Sequence, residues 1–435
     1  MLINKVYNHK FLDSINNYIE HKIDSDKTKH IYNQLNKHLV FTDFFDLFDI
    51  VYINRSINTV NLLYNKLFKD QYDHDKFALL YETDKIDYNK NELKKHLPEE
   101  WPDAINFYDK SFMSYIILQY FENECNKLIK MVSKDGKYNI YIYYCSSHIS
   151  DNKLENIIYH IHNILNWIIK IGNAKINKLR LDVILSPFNK TFTYELSEEE
   201  YIKYPWLMWT KQIKKDGLYP FHINTGSSWK TKNHIILYRI DELFKVLFHE
   251  CIHSFKYDFD DDNDCKKKNC ENILSKNVSL KIGFPGSYPI LINEAYTEYM
   301  AILCWNYYLA SYYLFSNNKT SMIKDKFKLF SHMINREQIN SAITCTKLFN
   351  YYDMTDLSIL KKYNHISQKT NAFSYIFIKY ILLIKMVGIF ENKSVDNLNR
   401  LLIDELDIIN KYDYLLKIPV DEDNKINLSI YYINV

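Results

Sequence analysis

The sequence predicts an α+β protein in which a small mixed sheet covers one buried helix and a mainly helical lobe follows. Three observations carry this. A strand, a helix and a second strand follow one another within residues 138–185, and a third strand at 234–240 runs into a helix, 242–255, that is apolar on nearly every side. The chain of 435 residues holds 7 glycines and 8 prolines, where average usage gives about 30 and about 22. Turn-dense all-β architectures, collagen and glycine-rich linkers are thereby disfavoured.

Residues 1–130 read as a mainly helical N-terminal region without a chemical signal. Phe41, Phe44, Phe45, Leu47, Phe48 and Val51 recur at helical spacing, and Pro98 and Pro102 bracket Trp101 in a break. Residues 131–290 read as an α/β lobe. YNIYIYYC, 138–145, alternates and is rich in aromatic and β-branched residues, so it predicts a strand. A helix over 152–171 carries Ile157, Ile158, Ile161, Ile164, Leu165 and Ile168 on one face, and LRLDVIL, 179–185, is the second strand. Strand, helix and strand in that order predict a parallel, right-handed crossover. HIILYRI, 234–240, is the third strand; Asp241 is suited to cap the next helix, with Glu242 in its first turn. Residues 291–435 read as the helical lobe. Their apolar run, 372–390, has the length of a bilayer span, but Lys379 and Lys385 interrupt it at a cost of about several kcal/mol, so a buried helix is expected and a membrane span is not.

Lys+Arg 55 against Asp+Glu 53 leaves a formal charge of +2, too balanced for a whole-chain electrostatic partner, and no nucleic acid is expected. The excess of Asn, Ile, Lys and Tyr is what an A+T-rich genome produces through its codons, so these residues carry little weight as prion-like or base-stacking segments. Seven cysteines at irregular spacing do not form a secreted disulfide framework, and the amino terminus lacks the apolar core of a signal peptide. A reducing, cytoplasmic setting is expected. No P-loop, GxSxG or dinucleotide fingerprint occurs.

The chemistry lies in the buried helix. His249-Glu250-Cys251-Ile252-His253 is an HExxH motif. Residues i and i+4 share a helical face, so both imidazoles can reach one Zn²⁺ at about 2.0 to 2.1 Å, with Glu250 near enough to act on a water. Ionisable groups on an otherwise apolar helix need a partner or a metal. Forty-one positions after His253 stands Glu294, in Asn293-Glu294-Ala295-Tyr296-Thr297-Glu298, where Glu294 and Glu298 again share a face. A third protein ligand completes the open geometry of a catalytic zinc site, and a carboxylate one turn on can accept the free N–H of a ligand histidine.

His249 to His253 followed by Asn293-Glu294 and Glu298 resembles the gluzincin metallopeptidases, the thermolysin and aminopeptidase side of the zincins, over residues 224–298. The resemblance implies a zincin-like fold and a zinc-dependent peptidase. It makes His249, His253 and Glu294 the ligands of one Zn²⁺, Glu250 the general base and Glu298 the partner that orients His249. It also makes 234–240 the edge strand that binds a peptide or protein substrate. The composition suggests a viral member, of the kind that large DNA viruses encode, acting in the host cytoplasm or virion. The interval from His253 to Glu294 is about twice the common one, and neither the transition-state histidine of thermolysin-like enzymes nor the aminopeptidase exopeptidase motif is found. Endopeptidase and aminopeptidase action both stay open. The alternative is a catalytically inactive zincin-like scaffold or interaction protein with structural zinc, against which the intact Glu250 argues.

The long interval carries an acidic run, Asp258, Asp260, Asp261, Asp262 and Asp264, followed by Lys266, Lys267 and Lys268, which predicts a solvated loop at the mouth of the cleft. Asp260, Asp262, Asp264 and Glu271 match an EF-hand register, but Cys265 replaces the required glycine. Cys265 and Cys270 offer half of a second metal site. Asn224, Thr225 and Gly226 are candidates for contact with substrate backbone. Tyr375, Tyr288 and His365 are candidates for the second oxyanion donor that such chemistry needs. His160 and His162 point to different faces of their helix and read as core or surface histidines.

Overall fold

In the computed structural model, which describes residues 25–36, 39–42, 47–54, 117, 120–121, 124–172, 174, 178–188, 224–229, 233–258, 278, 290–317, 323–357, 372–389 and 395–418, six strands form one mixed sheet. In chain order the elements are α1 (Ser25–Leu35), β1 (Phe48–Asn54), β2 (Lys127–Ser133), β3 (Tyr138–Tyr144), α2 (Asp151–Ile171), β4 (Leu179–Ile184), β5 (Gly226–Trp229), β6 (His234–Leu237) and α3 (Leu243–Ser254). The helical lobe has α4 (Ile292–Ser316), α5 (Ile323–Tyr351), a π-helical turn (Ser374–Ile378) that continues into α6 (Lys379–Lys385), α7 (Val395–Asp407) and a 3₁₀ segment (Ile409–Lys417). The α+β class is the observed one.

Strand order is β1-β2-β3-β4-β6-β5. β3, β4 and β6 are parallel, while β1, β2 and β5 run antiparallel to their neighbours. The 2-residue period sorts the side chains of every strand to two faces. Ile140, Ile142, Leu181, Val183, Ile235 and Leu237 face α2 and α3 in the main core. Tyr143, Ile184 and Ile236 face the other way and pack with Tyr120, Phe121 and Phe188. α3 therefore has the sheet on one side and α4 on the other, which explains why all twelve of its residues are buried.

Several expectations need correction. Phe48–Asn54 is a strand, not part of a helix: FDIVYIN is β-branched and aromatic, and it pairs with β2 along its whole length. The boundary at residue 130 consequently cuts through β2, and part of 1–130 belongs to the sheet. The strand at His234 is not the edge. Ile235, Ile236 and Leu237 are buried on both faces, as a central strand requires, and β6 lies between β4 and β5. Among the described residues the polar GSSW of β5 forms the edge instead. The residue at the start of α3 is Glu242, without a side-chain cap. Its carboxylate accepts from Lys245 at 2.9 Å and is thus committed elsewhere.

Of the apolar run 372–390, 372–385 is helical and mostly buried. Lys379 reaches Ser341 at 2.9 Å and Lys385 pairs with Glu405 at 2.6 Å. No helix among the described residues is long and apolar enough to cross a membrane.

Candidate metal centre

The last two turns of α3 carry His249 and His253, and the first turn of α4 carries Glu294. Packing of α3 against α4 brings them together. His249 Nε2 and His253 Nε2 are 3.1 Å apart, and Glu294 Oε2 is 3.2 Å from the second and 3.5 Å from the first. Three ligand atoms about 2.0 to 2.1 Å from one ion at tetrahedral angles are separated by about 3.3 Å. The triad is therefore spaced as one face of such a tetrahedron.

The opposite edge of each ring is held. His249 Nδ1 lies 2.9 Å from Glu298 Oε2, and His253 Nδ1 lies 2.5 Å from Asp258 Oδ2. Carboxylates only accept, so each ring donates from Nδ1, and each neutral ring turns a bare Nε2 inward. Two lone pairs and a carboxylate oxygen converging in a buried pocket need a cation or a proton between them. The titration behaviour says the same. Burial alone would depress both imidazoles, but Glu294 with Glu298 raises His249, and Glu294 with Asp258 raises His253 strongly. Glu294 is itself held well below the usual carboxylate range, because the two histidines outweigh its burial. The donor set, two imidazoles and one carboxylate, is one that fits zinc.

Glu250 lies next to His249, 5% exposed, and burial raises its pKa. Ser228, on the edge strand, stands beside it and opposes part of that rise. Strand parity explains the contact: Gly226 and Ser228 pair with Leu237 and Ile235, so they share the face that meets α3. Asn224, Thr225 and Gly226 anchor this strand. The Asn224 carbonyl accepts from Arg239, the Thr225 carbonyl from the Tyr238 amide, and a Cβ on Gly226 would lie 2.9 Å from Leu237 and 3.0 Å from both Ile236 O and Val246. Tyr375, in the π-helical turn, donates to Glu294 Oε2 at 3.0 Å and stands beside the His249 ring.

Three residues of this centre escape a reading of the sequence. Lys245 is buried and donates to Glu298 at 2.5 Å and Glu242 at 2.9 Å; its signal is its place four residues before His249 on an apolar helix. Asp258 belongs to no solvated run, since it is fully buried against His253. α3 ends in a Schellman turn, with Tyr257 N bonded to Ile252 O, Lys256 N to His253 O, and Lys256 at φ 63°. That reversal carries Asp258 back beneath His253, and without a glycine it leaves no mark in the sequence. Ser228 is the third.

His160 bonds Tyr308 and His162 bonds Thr42, so both are packing residues. Tyr288, His365, the EF-hand-like positions Asp260, Asp262, Asp264 and Glu271, and Cys265 and Cys270 lie outside the described residues. A cavity of about 540 Å³ beside α2, lined by Phe48, Tyr138, His162 and Lys170 among others, includes none of the triad. Comparison with protein-family models, with curated proteins and with solved structures finds no match.

Proposed function

We propose that the chain is a zinc-dependent metallopeptidase of the zincin type, hydrolysing peptide bonds in a peptide or protein substrate. The observation that carries the reading is the triangle of His249, His253 and Glu294 with Glu250 beside it and a sheet edge alongside.

When bound, zinc supplies Lewis acidity and lowers the pKa of a water toward about 7. His249, His253 and Glu294 hold it, and Glu298 and Asp258 orient the two rings. Glu250 is the general base, taking a proton from the attacking water and returning it to the leaving amine nitrogen. Its raised pKa brings proton affinity nearer to that task. Tyr375 is suited to donate to the developing oxyanion. β5 pairs on one side only among the described residues, which supports a substrate strand added along it, past Ser228.

The test is Glu250→Gln in the full chain, assayed by mass spectrometry of a cleaved peptide library beside metal analysis. Zinc should stay and turnover should vanish. Loss of zinc in that variant, or unchanged turnover, removes the proposed role of Glu250. Stoichiometric zinc in the wild type without any cleavage favours the scaffold alternative.

A further inference from the structure

We propose that Glu124, Cys145 and His148 form a second metal site, specific for a thiophilic divalent cation of the zinc class, at the carboxyl end of β3. It shares no residue with the first centre and does not depend on the peptidase reading. One ligand atom from each of the three residues lies within 4.8 Å of the others. A thiolate, an imidazole and a carboxylate around zinc stand about 3.3 to 3.7 Å apart, so closure requires side-chain movements of about an ångström.

The backbone that carries these groups is already fixed. Cys145 directly follows the last residue of β3, and the next residues form a turn in which the amides of His148 and Ile149 both bond to Cys145 O. Cys-x-x-His within that turn folds sulfur and imidazole toward one point. Glu124 comes from the turn before β2, where its amide bonds to Tyr120 O. Asn126 ties the two turns together. It accepts from the Ser146 amide at 3.0 Å and donates to the Ser146 hydroxyl at 3.1 Å, while its own amide bonds to Tyr144 O. Tyr120 stacks on His148, with its hydroxyl 3.4 Å from Nδ1, as an outer partner that orients a ligand ring.

The ligand types decide the metal. Magnesium and calcium prefer oxygen alone, whereas thiolate with imidazole selects zinc and its thiophilic neighbours. Cys145 is 3% exposed, while Glu124 and His148 are half-buried, so the site is open on one side and a fourth position falls to water. Binding would clamp the start of β2 to the end of β3 and leave an exchangeable coordination position.

Cobalt(II) tests the site because only this one of the two centres has sulfur. The full chain, stripped of metal by a chelator, is titrated with Co²⁺ alone. Two equivalents should bind, one with a near-ultraviolet thiolate-to-cobalt charge-transfer band. Cys145→Ser should abolish the band, and Glu294→Ala should leave it while removing the other equivalent. His148→Gln and Glu124→Gln, at half-buried positions, should each weaken the banded equivalent at least about tenfold. Absence of the band in the wild type, its persistence in Cys145→Ser, or unchanged affinity in both glutamine variants overturns the proposal.

Discussion

Nδ1 of His249 lies 2.9 Å from Oε2 of Glu298, and the other oxygen of that carboxylate accepts from the buried ammonium of Lys245 at 2.5 Å. Glu298 thus stands between an imidazole and a lysine that also holds Glu242. Burial alone would lower the pKa of Lys245, but Glu242 and Glu298 raise it, so the ammonium stays charged and fixes Glu298 as a carboxylate that only accepts.

Lys245→Met should leave two buried carboxylates without their cation and cost about 3 to 5 kcal/mol of stability, read by denaturant unfolding. Adding Glu242→Gln should recover part of that loss. A cost under about 1 kcal/mol, or no recovery in the double variant, would show that the two glutamates are satisfied without the lysine.

A second prediction begins far from the metal. Any Cβ on Gly172, at the end of α2, would fall inside the Tyr257 ring, whose hydroxyl donates to Ile168 O at 3.2 Å. Tyr257 precedes Asp258, which holds His253. Gly172→Ala should displace both and weaken zinc binding about 10-fold to 100-fold, the range of outer-shell changes, as should Asp258→Asn. Competition with a chromophoric chelator measures it. Unchanged affinity in Gly172→Ala beside a weakened Asp258→Asn would uncouple Tyr257 from the site.

The centre was legible where its chemistry depends on spacing along one helix. His249 with His253, and Glu294 with Glu298, are i and i+4 pairs, and a helical period alone puts each pair on one face. The parallel unit β3-α2-β4 was legible because short strands rich in aromatic and β-branched residues flank a helix with one apolar face. The partners that arrive from elsewhere were not. Asp258 reaches His253 through a left-handed Lys256 rather than a glycine, and β5 is a four-residue polar strand whose role comes from its neighbour. The strand at Phe48 resembles a helix locally because Phe44, Phe45, Phe48 and Val51 fit a 3.6-residue period; pairing with β2, some 75 residues away, decides the outcome. Glu124 meets Cys145 through the β2–β3 hairpin, which pairs Lys127 with Tyr144 and so brings the residues before one strand beside those after the other.

Tyr375 separates two roles. Its hydroxyl donates to Glu294 Oε2 at 3.0 Å, so it either positions that ligand or turns to an oxyanion during turnover. As a donor to the oxyanion, its loss in Tyr375→Phe should lower kcat about 10²-fold to 10³-fold with zinc content and KM nearly unchanged. Weaker zinc binding with kcat retained at saturating metal would instead make it a positioning residue.

The last prediction concerns the helical lobe. Glu337 is buried on α5, accepts from Ser341 at 3.1 Å, and lies 4.0 Å from Lys379, which itself donates to Ser341. Burial raises its pKa to about 7, and Lys379 and Lys245 only partly offset this. The unfolded chain loses this proton near the ordinary carboxylate value of 4.5. The contribution to stability is therefore full below 4.5 and is lost as pH rises through about 7, because between those values the folded state binds the proton that the unfolded state has released. At about 1.36 kcal/mol per pKa unit the loss reaches at most about 3 kcal/mol. Glu337→Gln keeps the shape of the protonated acid and removes the titration. Its melting temperature should match the wild type at pH 4.5 and exceed it at pH 8, with the gap opening between them. A variant equally or less stable at pH 8 would mean that Glu337 is folded as a carboxylate, with Lys379 as a true ion-pair partner through the shared Ser341.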